Sequence, residues 1–296
     1  MKLPDFLVIG AMKAGTTSLC RDLAAHPKIY FPPIKEPHTL YLEDVITPSG
    51  RRKYADLFKA ASSYQICGEG STGYTKLPYG EKIPFRARRV CGSGLKLIYI
   101  VRNPIERALS HHYHAYRAGR VSADFSVALE QDKTIRTCSQ YAYQLKPWID
   151  LFGIGQVYVV RFEDYIVDRK RILDDLCCFL GLDPMSDMEQ DVAMNVGEQQ
   201  LKAPEWLGSS LLFDVWSRFK RGQFYKRSVR PLLNEKWIQS MKRFLYTSPP
   251  PPRPPTPSWS VLDSFVKELY EDHERFQVLL GIDKPMWDMQ KSWRER

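Results

Sequence analysis

The residues best equipped for chemistry stand near the start of the chain, in Gly10-Ala-Met-Lys13-Ala14-Gly15-Thr16-Thr17-Ser18. A glycine-containing loop that runs from a strand into a helix makes an anion site. The first backbone N–H groups of the helix lack partners and point at the ligand. The helix dipole adds partial positive charge there. Lys13 adds a full charge, and Thr16, Thr17 and Ser18 add hydroxyl donors. A phosphate needs this set of groups. The common phosphate loop, however, carries its lysine directly after the second glycine. Here Lys13 lies two residues before Gly15, and Thr16 takes the usual lysine position. A nucleoside triphosphatase also needs a magnesium-holding carboxylate. No such aspartate ends a strand here, since Val101 is followed by Arg102 and Val160 by Arg161. Taken alone, the loop also fits an ordinary strand–helix turn.

The second constellation is Tyr99-Ile-Val-Arg102-Asn-Pro104-Ile-Glu-Arg107-Ala-Leu-Ser110. Arg102 leaves the C-terminal end of a strand, where open parallel sheets bind ligands. Arginine offers a forked donor for phosphate and serine a hydroxyl. A surface salt bridge for Arg102 and a solvated hydroxyl for Ser110 are the ordinary alternatives. His38 is a possible base, because an imidazole works near neutral pH.

The elements that must position these groups read as alternating strands and helices. Phe6 to Ile9 is a short apolar run ending at Gly10, the pattern of a buried strand. Thr16 to Ala25 reads as a helix. Leu95 to Val101 is a second strand, followed by a helix from Ile105 to Arg117 with proline at its first turn. Gln156 to Val160 is a third strand, leading to a helix over Arg169 to Leu180 with Gly181 as its cap. Val261 to Leu280 is an amphipathic helix. This alternation predicts an α/β fold: one domain over 1–296, with a central parallel sheet flanked by helices in three layers. The tract Pro249–Pro257 predicts a stiff, extended surface loop. A ligand for a proline-recognising partner is the lesser reading.

The two constellations, in this order, resemble the sulfotransferases that use 3′-phosphoadenosine-5′-phosphosulfate (PAPS). Further segments extend the resemblance. Phe31-Pro-Pro-Ile-Lys35-Glu36-Pro37-His38 and Gly68-Glu-Gly-Ser-Thr-Gly-Tyr74 are similar to stretches of the carbohydrate and bacterial branches. Val160-Arg-Phe-Glu163-Asp164-Tyr, Phe179-Leu-Gly-Leu182 and Leu280-Gly281 to Trp287 resemble later parts of the family. The resemblance covers 5–183 well and 261–288 acceptably, while 184–260 match poorly. It implies a phosphate-loop-like α/β fold and PAPS as co-substrate, with no metal. It implies that Lys13, Ala14, Gly15, Thr16, Thr17 and Ser18 hold the 5′-phosphosulfate, and that Arg102 and Ser110 hold the 3′-phosphate. Lys13 would also neutralise charge on the leaving oxygen. Glu36 falls at the catalytic carboxylate of the heparan-sulfate-type branch and would act as base, with His38 as its neighbour or rival. A salt bridge to Lys35, or an exposed loop carboxylate, is the plain alternative for Glu36. Two departures bar a transfer of acceptor contacts from that branch: Thr39-Leu40 stands in place of two phenylalanines, and Gly70 in place of a lysine. Phe219-Lys-Arg221-Gly222 faintly resembles the phosphate clamp of the cytosolic branch, with Lys202 as another partner for the 3′-phosphate.

Bulk properties agree without deciding. The 296 residues are 44% hydrophobic and 26% charged, with a net charge of +9. That size buries a core unaided, and the charge suits an anionic ligand. Six cysteines form no C-x-x-C pair, which disfavours zinc and dithiol chemistry. Cys177 and Cys178 sit in an apolar run and read as buried thiols. The opening apolar run has strand length rather than leader length. No stretch approaches the roughly 20 apolar residues of a membrane span. The expectation is therefore a soluble cytoplasmic enzyme, monomeric or dimeric, acting on a small molecule, natural product or glycan. Two other readings predict different ligands. A phosphate-loop kinase or nucleotidase would need magnesium and ATP. A nucleic-acid binder using the basic, aromatic segment 204–227 would bind with steep salt dependence.

Overall fold

Two opposite faces of each central strand are buried, and the alternation of side chains sorts them. The computed structural model describes residues 1–185 and 252–289. Strands β1 (Phe6–Gly10), β2 (Ile29–Tyr30), β3 (Ile66–Gly70), β4 (Lys96–Val101) and β5 (Val157–Arg161) form one parallel sheet in the order β2-β3-β1-β4-β5. Leu7, Ile9, Leu97, Tyr99 and Val101 point into one core, and Phe6, Val8, Ile98, Ile100 and Val160 into the other. Strands covered on both faces read as continuous apolar runs, which is why β1 and β4 were legible.

Helices α1 (Thr16–Ala24) and α9 (Arg169–Leu180) cover the second core, through Leu19, Leu23, Ile172, Leu173 and Leu176. The first core is covered by α3 (Ile83–Cys91), α4 (Pro104–Arg117), α5 (Phe125–Gln131), α7 (Tyr141–Phe152) and the long α10 (Trp259–Leu280). Short helices α2 (Pro48–Ala55), α6 (Thr134–Thr137) and α8 (Phe162–Val167) complete the described α-helices. The predicted α/β architecture is thus present, with helices on both sheet faces.

Several expectations change. β5 starts at Val157 and ends at Arg161, because Gln156 belongs to a 3-10 turn. A short helix, α8, follows β5 at once where only a link to α9 was expected. β2 and β3 were not foreseen as strands. In β3, Gly68 and Gly70 hide the apolar signature. A Cβ at Gly68 would lie 2.3 Å from the Phe6 ring, and one at Gly70 2.5 Å from Cys20 Sγ. Close neighbours, not a turn, require glycine there. Cys177 is buried as expected, but Cys178 faces solvent on the outer side of α9. No described helix is long and apolar enough to cross a membrane.

Candidate functional site

Every strand hands the chain to the same edge of the sheet. β1 is the switch point: the chain leaves it toward β2 on one side and later reaches β4 on the other. Ligands of open parallel sheets bind outside the carboxyl ends of strands at such a point. The loop 10–17 follows β1, the segment 31–38 follows β2, 70–75 follows β3, Arg102 follows β4 and Phe162 follows β5.

The loop after β1 is built as an anion cradle. Gly15 caps α1 in the left-handed conformation, φ 96°, and no side chain accepts the first amides of the helix. Thr47, Asn103, Asp124 and Asp168 cap α2, α4, α5 and α9 with side-chain oxygens, whereas α3, α6, α7, α8 and α10, like α1, start on a residue whose side chain makes no such bond; α1 differs from these in starting on a left-handed glycine. The open amides of α1 fit a phosphate group. Gly15 is needed twice, since a Cβ would also lie 2.8 Å from the Phe162 ring. Ala14 and Thr16 are buried, and Thr17 is exposed at the rim. The loop is pinned from α4: buried Arg107 donates to Ser139 Oγ at 2.7 Å, to the Met12 carbonyl at 3.4 Å and to the Ile135 carbonyl.

Lys13 stands among cations. Burial lowers its pKa first, and Arg102, Arg117, Lys35 and Arg107 lower it further. His114 is pushed down to about 4, by burial and then by Lys13, Arg120, Arg117 and Lys76. This field is strongly positive and would gain from an anion.

Arg102 and Ser110 face a cavity of about 550 Å³, walled on the far side by Arg253, Pro254, Pro255, Thr256 and Pro257. The structure therefore brings Arg102 and Ser110 together. Arg102 is held in place. Its guanidinium lies 5.1 Å from the Phe162 ring centre, and its carbonyl accepts from Tyr141 Oη at 2.5 Å. The expected salt bridge also exists, to Glu106 at 3.4 Å. Arg253 was not foreseen as a site residue, because the proline tract read only as a surface loop; its described part forms a cavity wall instead. The clamp-like stretch 219–222 and Lys202 lie outside the described residues, as does all but the two ends of the poorly matched stretch 184–260, where the acceptor pocket is expected.

Glu36 and His38 sit across the loop from α1. Thr16, Thr17, Cys20, Arg21, Ile34, Glu36, Gly70 and Thr72 line one cavity of about 200 Å³. Glu36 Oε2 lies 3.3 Å from His38 Nε2, and Oε1 accepts from Thr72 Oγ1 at 3.2 Å. Burial raises the Glu36 pKa, but the hydrogen bonds from His38 and Thr72, with the charges of His38 and Lys35, outweigh it and hold the carboxyl below its ordinary value. Its direct partner is thus His38 rather than Lys35. Burial, then the charge of Glu36, pushes the Cys20 thiol up to about 12. Among the described residues, the non-glycine positions with positive φ are Lys13 (69°), Glu36 (47°) and His38 (53°). Left-handed backbone is unfavourable for such residues and concentrates at functional sites.

An uncapped helix start, a half-buried lysine, an arginine–serine pair and a carboxylate gather on one sheet edge of an α/β frame, a set of groups suited to an anionic ligand. The comparisons name the family. A family model described as "Sulfotransferase domain" matches residues 85–246, and the chain belongs to this family. Carbohydrate sulfotransferase 15 of Mus musculus is 25% identical over 290 residues, spanning 75% of this chain and 51% of that protein. Heparan sulfate glucosamine 3-O-sulfotransferase 3B1 of Mus musculus is 27% identical over 190 residues, spanning 61% of this chain and 47% of that one. The chain thus covers about half the length of these curated relatives. A crystal structure of a sulfotransferase from Alicyclobacillus acidocaldarius superposes with a TM-score of 0.65 at 21% identity, over 96% of this chain and 98% of that one. It shares the fold.

Proposed function

We propose that this chain transfers a sulfuryl group from PAPS to a hydroxyl or amine of a carbohydrate or small-molecule acceptor. The observation that carries the reading is the pairing of two anion sites on one sheet edge. The uncapped start of α1 suits a 5′-phosphosulfate, and the cavity of Arg102, Ser110 and Arg253 suits a 3′-phosphate. Lys13 lies in the loop that leads into α1, and its charge is opposed by those of Arg102 and Lys35, so an anion placed there would relieve the repulsion. The names of the relatives support a carbohydrate acceptor.

In this reading Thr16, Thr17, Ser18 and the amides of α1 hold the 5′-phosphate, while Arg102 and Ser110 fix the nucleotide end. Glu36 takes the proton from the acceptor O–H or N–H as that atom forms its bond to sulfur. The bond between sulfur and the bridging oxygen breaks on the opposite side, and its electron pair stays on the 5′-phosphate. Lys13 meets the charge developing there. His38, bonded to Glu36, orients the carboxylate.

A thermal-shift comparison tests the reading. 3′-Phosphoadenosine 5′-phosphate should raise Tm without magnesium, and ATP should do little. A shift with Mg-ATP but none with the bisphosphate overturns it in favour of a kinase or nucleotidase. A screen of carbohydrate and small-molecule acceptors with PAPS, read by mass spectrometry, then identifies the acceptor.

A further inference from the structure

One buried carboxylate takes no part in the transfer just described. Glu69, near the end of β3, is fully shielded from solvent at 0% exposure. Its Oε1 accepts from Ser71 Oγ at 2.7 Å and from Tyr74 Oη at 2.6 Å, and its Oε2 accepts from Tyr54 Oη. Burying a carboxylate is costly unless it is well bonded, and three hydroxyl donors supply that bonding.

Two of those hydroxyls have a second task. Ser71 Oγ accepts from the His38 amide at 3.3 Å, and Tyr74 Oη accepts from the Leu40 amide at 3.2 Å. A hydroxyl whose hydrogen is committed to a carboxylate turns its lone pairs elsewhere. Glu69 thus orients two acceptors toward the backbone of the 36–40 turn. The same strand end grips the turn twice more. Thr72 Oγ1 donates to Glu36, and Tyr41 Oη donates to the Gly73 carbonyl at 2.5 Å. Gly73 also leaves room for the His38 ring, which a Cβ would approach to 3.0 Å. The turn so held contains Glu36 and His38, both left-handed. Such backbone persists only where its surroundings over-determine it.

We infer that Glu69 is a positioning residue for the Glu36–His38 pair, acting through Ser71 and Tyr74, and that the segment Glu69–Tyr74 is the template on which the base loop is set. This gives the Gly68–Tyr74 motif a task that nucleotide binding does not use. The inference rests on Glu36 being the base.

The test uses the full chain with Glu69→Gln and Ser71→Ala. Ser71→Ala removes the acceptor of the His38 amide and one of the three hydroxyls on Glu69, but leaves the buried carboxyl with Tyr54 and Tyr74, so it serves should Glu69→Gln fail to fold. Amide hydrogen exchange at His38 should quicken on the order of tenfold in Ser71→Ala, with that of Leu40 less affected; Glu69→Gln should quicken both. The Glu36 carboxyl, followed by carbon-13 NMR, should titrate at higher pH in either variant as its partners loosen. Affinity for 3′-phosphoadenosine 5′-phosphate should stay within about twofold, since its groups lie on other strands. Once an acceptor is known, kcat should fall about tenfold or more with little change in KM for PAPS. Unchanged exchange at His38 and unchanged Glu36 titration in folded Ser71→Ala overturn the inference. So does equal loss of bisphosphate affinity and of melting temperature, which would mark Glu69 as a core residue only. The two readings fail separately: unchanged exchange removes the template, whereas full turnover of Glu36→Gln removes the base.

Discussion

Glu36 is pulled in two directions. Burial disfavours its charge, while His38, Thr72 and the field of Lys35 favour it, and the net effect keeps it ionised below the ordinary carboxylate value of 4.5. Lys13 is pulled one way only, and its ammonium loses its proton below the ordinary 10.5. A base must be deprotonated and a charge stabiliser protonated, so kcat/KM of the free enzyme should be bell-shaped. Its acid limb should lie below pH 4.5 and its alkaline limb below pH 10.5. A pH–rate profile checks this. An acid limb in the ordinary imidazole range would instead make His38 the base. Glu36→Gln and Lys13→Ala should each lower turnover by about 10²-fold or more. Glu36→Gln should leave bisphosphate affinity nearly unchanged, whereas Lys13→Ala should weaken it; calorimetry separates the two. Most of these residues were legible. The loop residues stood out by type and spacing, and Glu36 by family resemblance. Glu69, Arg107 and Arg253 were not. Each acts through a contact to a distant part of the chain, such as Arg107 on the Met12 carbonyl, and no local pattern announces such a contact.

At the scale of elements, β3 shows why local reading falls short. Its sequence Ile-Cys-Gly-Glu-Gly has two glycines and a carboxylate, the composition of a turn. Packing against Phe6 and Cys20 demands the glycines, and the three hydroxyls around Glu69 offset part of the cost of its burial, which still raises its pKa. Tertiary contacts override propensity here. Gly68→Ala should therefore destabilise the protein by about 1–3 kcal/mol, the range for overpacking a core. Chemical denaturation of the variant checks it, and a neutral result would show that Phe6 can move aside. β1 and β4 had no such disguise. Their apolar runs match two-sided burial, so their extents agree with the sequence reading to within a residue.

For the molecule as a whole, the long helix α10 and the residues after it brace the Arg102 end of the site. Asp272 on α10 caps the start of α7, accepting from the amides of Ala142 at 3.0 Å and Tyr143 at 2.9 Å. α7 in turn carries Tyr141, which holds the Arg102 carbonyl. Trp287 Nε1 donates to Glu163 Oε2 at 3.0 Å, and Glu163 Oε1 accepts from the Asn103 amide at 2.8 Å. Both chains of contact end beside Arg102. Trp287→Phe keeps an aromatic ring but loses the donor. It should weaken bisphosphate binding by roughly three- to tenfold, the equivalent of one net hydrogen bond, and titration calorimetry measures this. The wall made by Arg253 to Pro257 also comes from this last part of the chain. Synthesis on the ribosome therefore delivers the two halves of the proposed nucleotide site far apart in time. The loop after β1 emerges first, while Arg253 and Trp287 emerge only after more than 250 residues have been joined. On the proposed reading, a nascent chain halted short of Arg253 would hold the cradle for one phosphate and lack the wall and brace around the other, so PAPS would act as a ligand that favours folding only once elongation has passed that point.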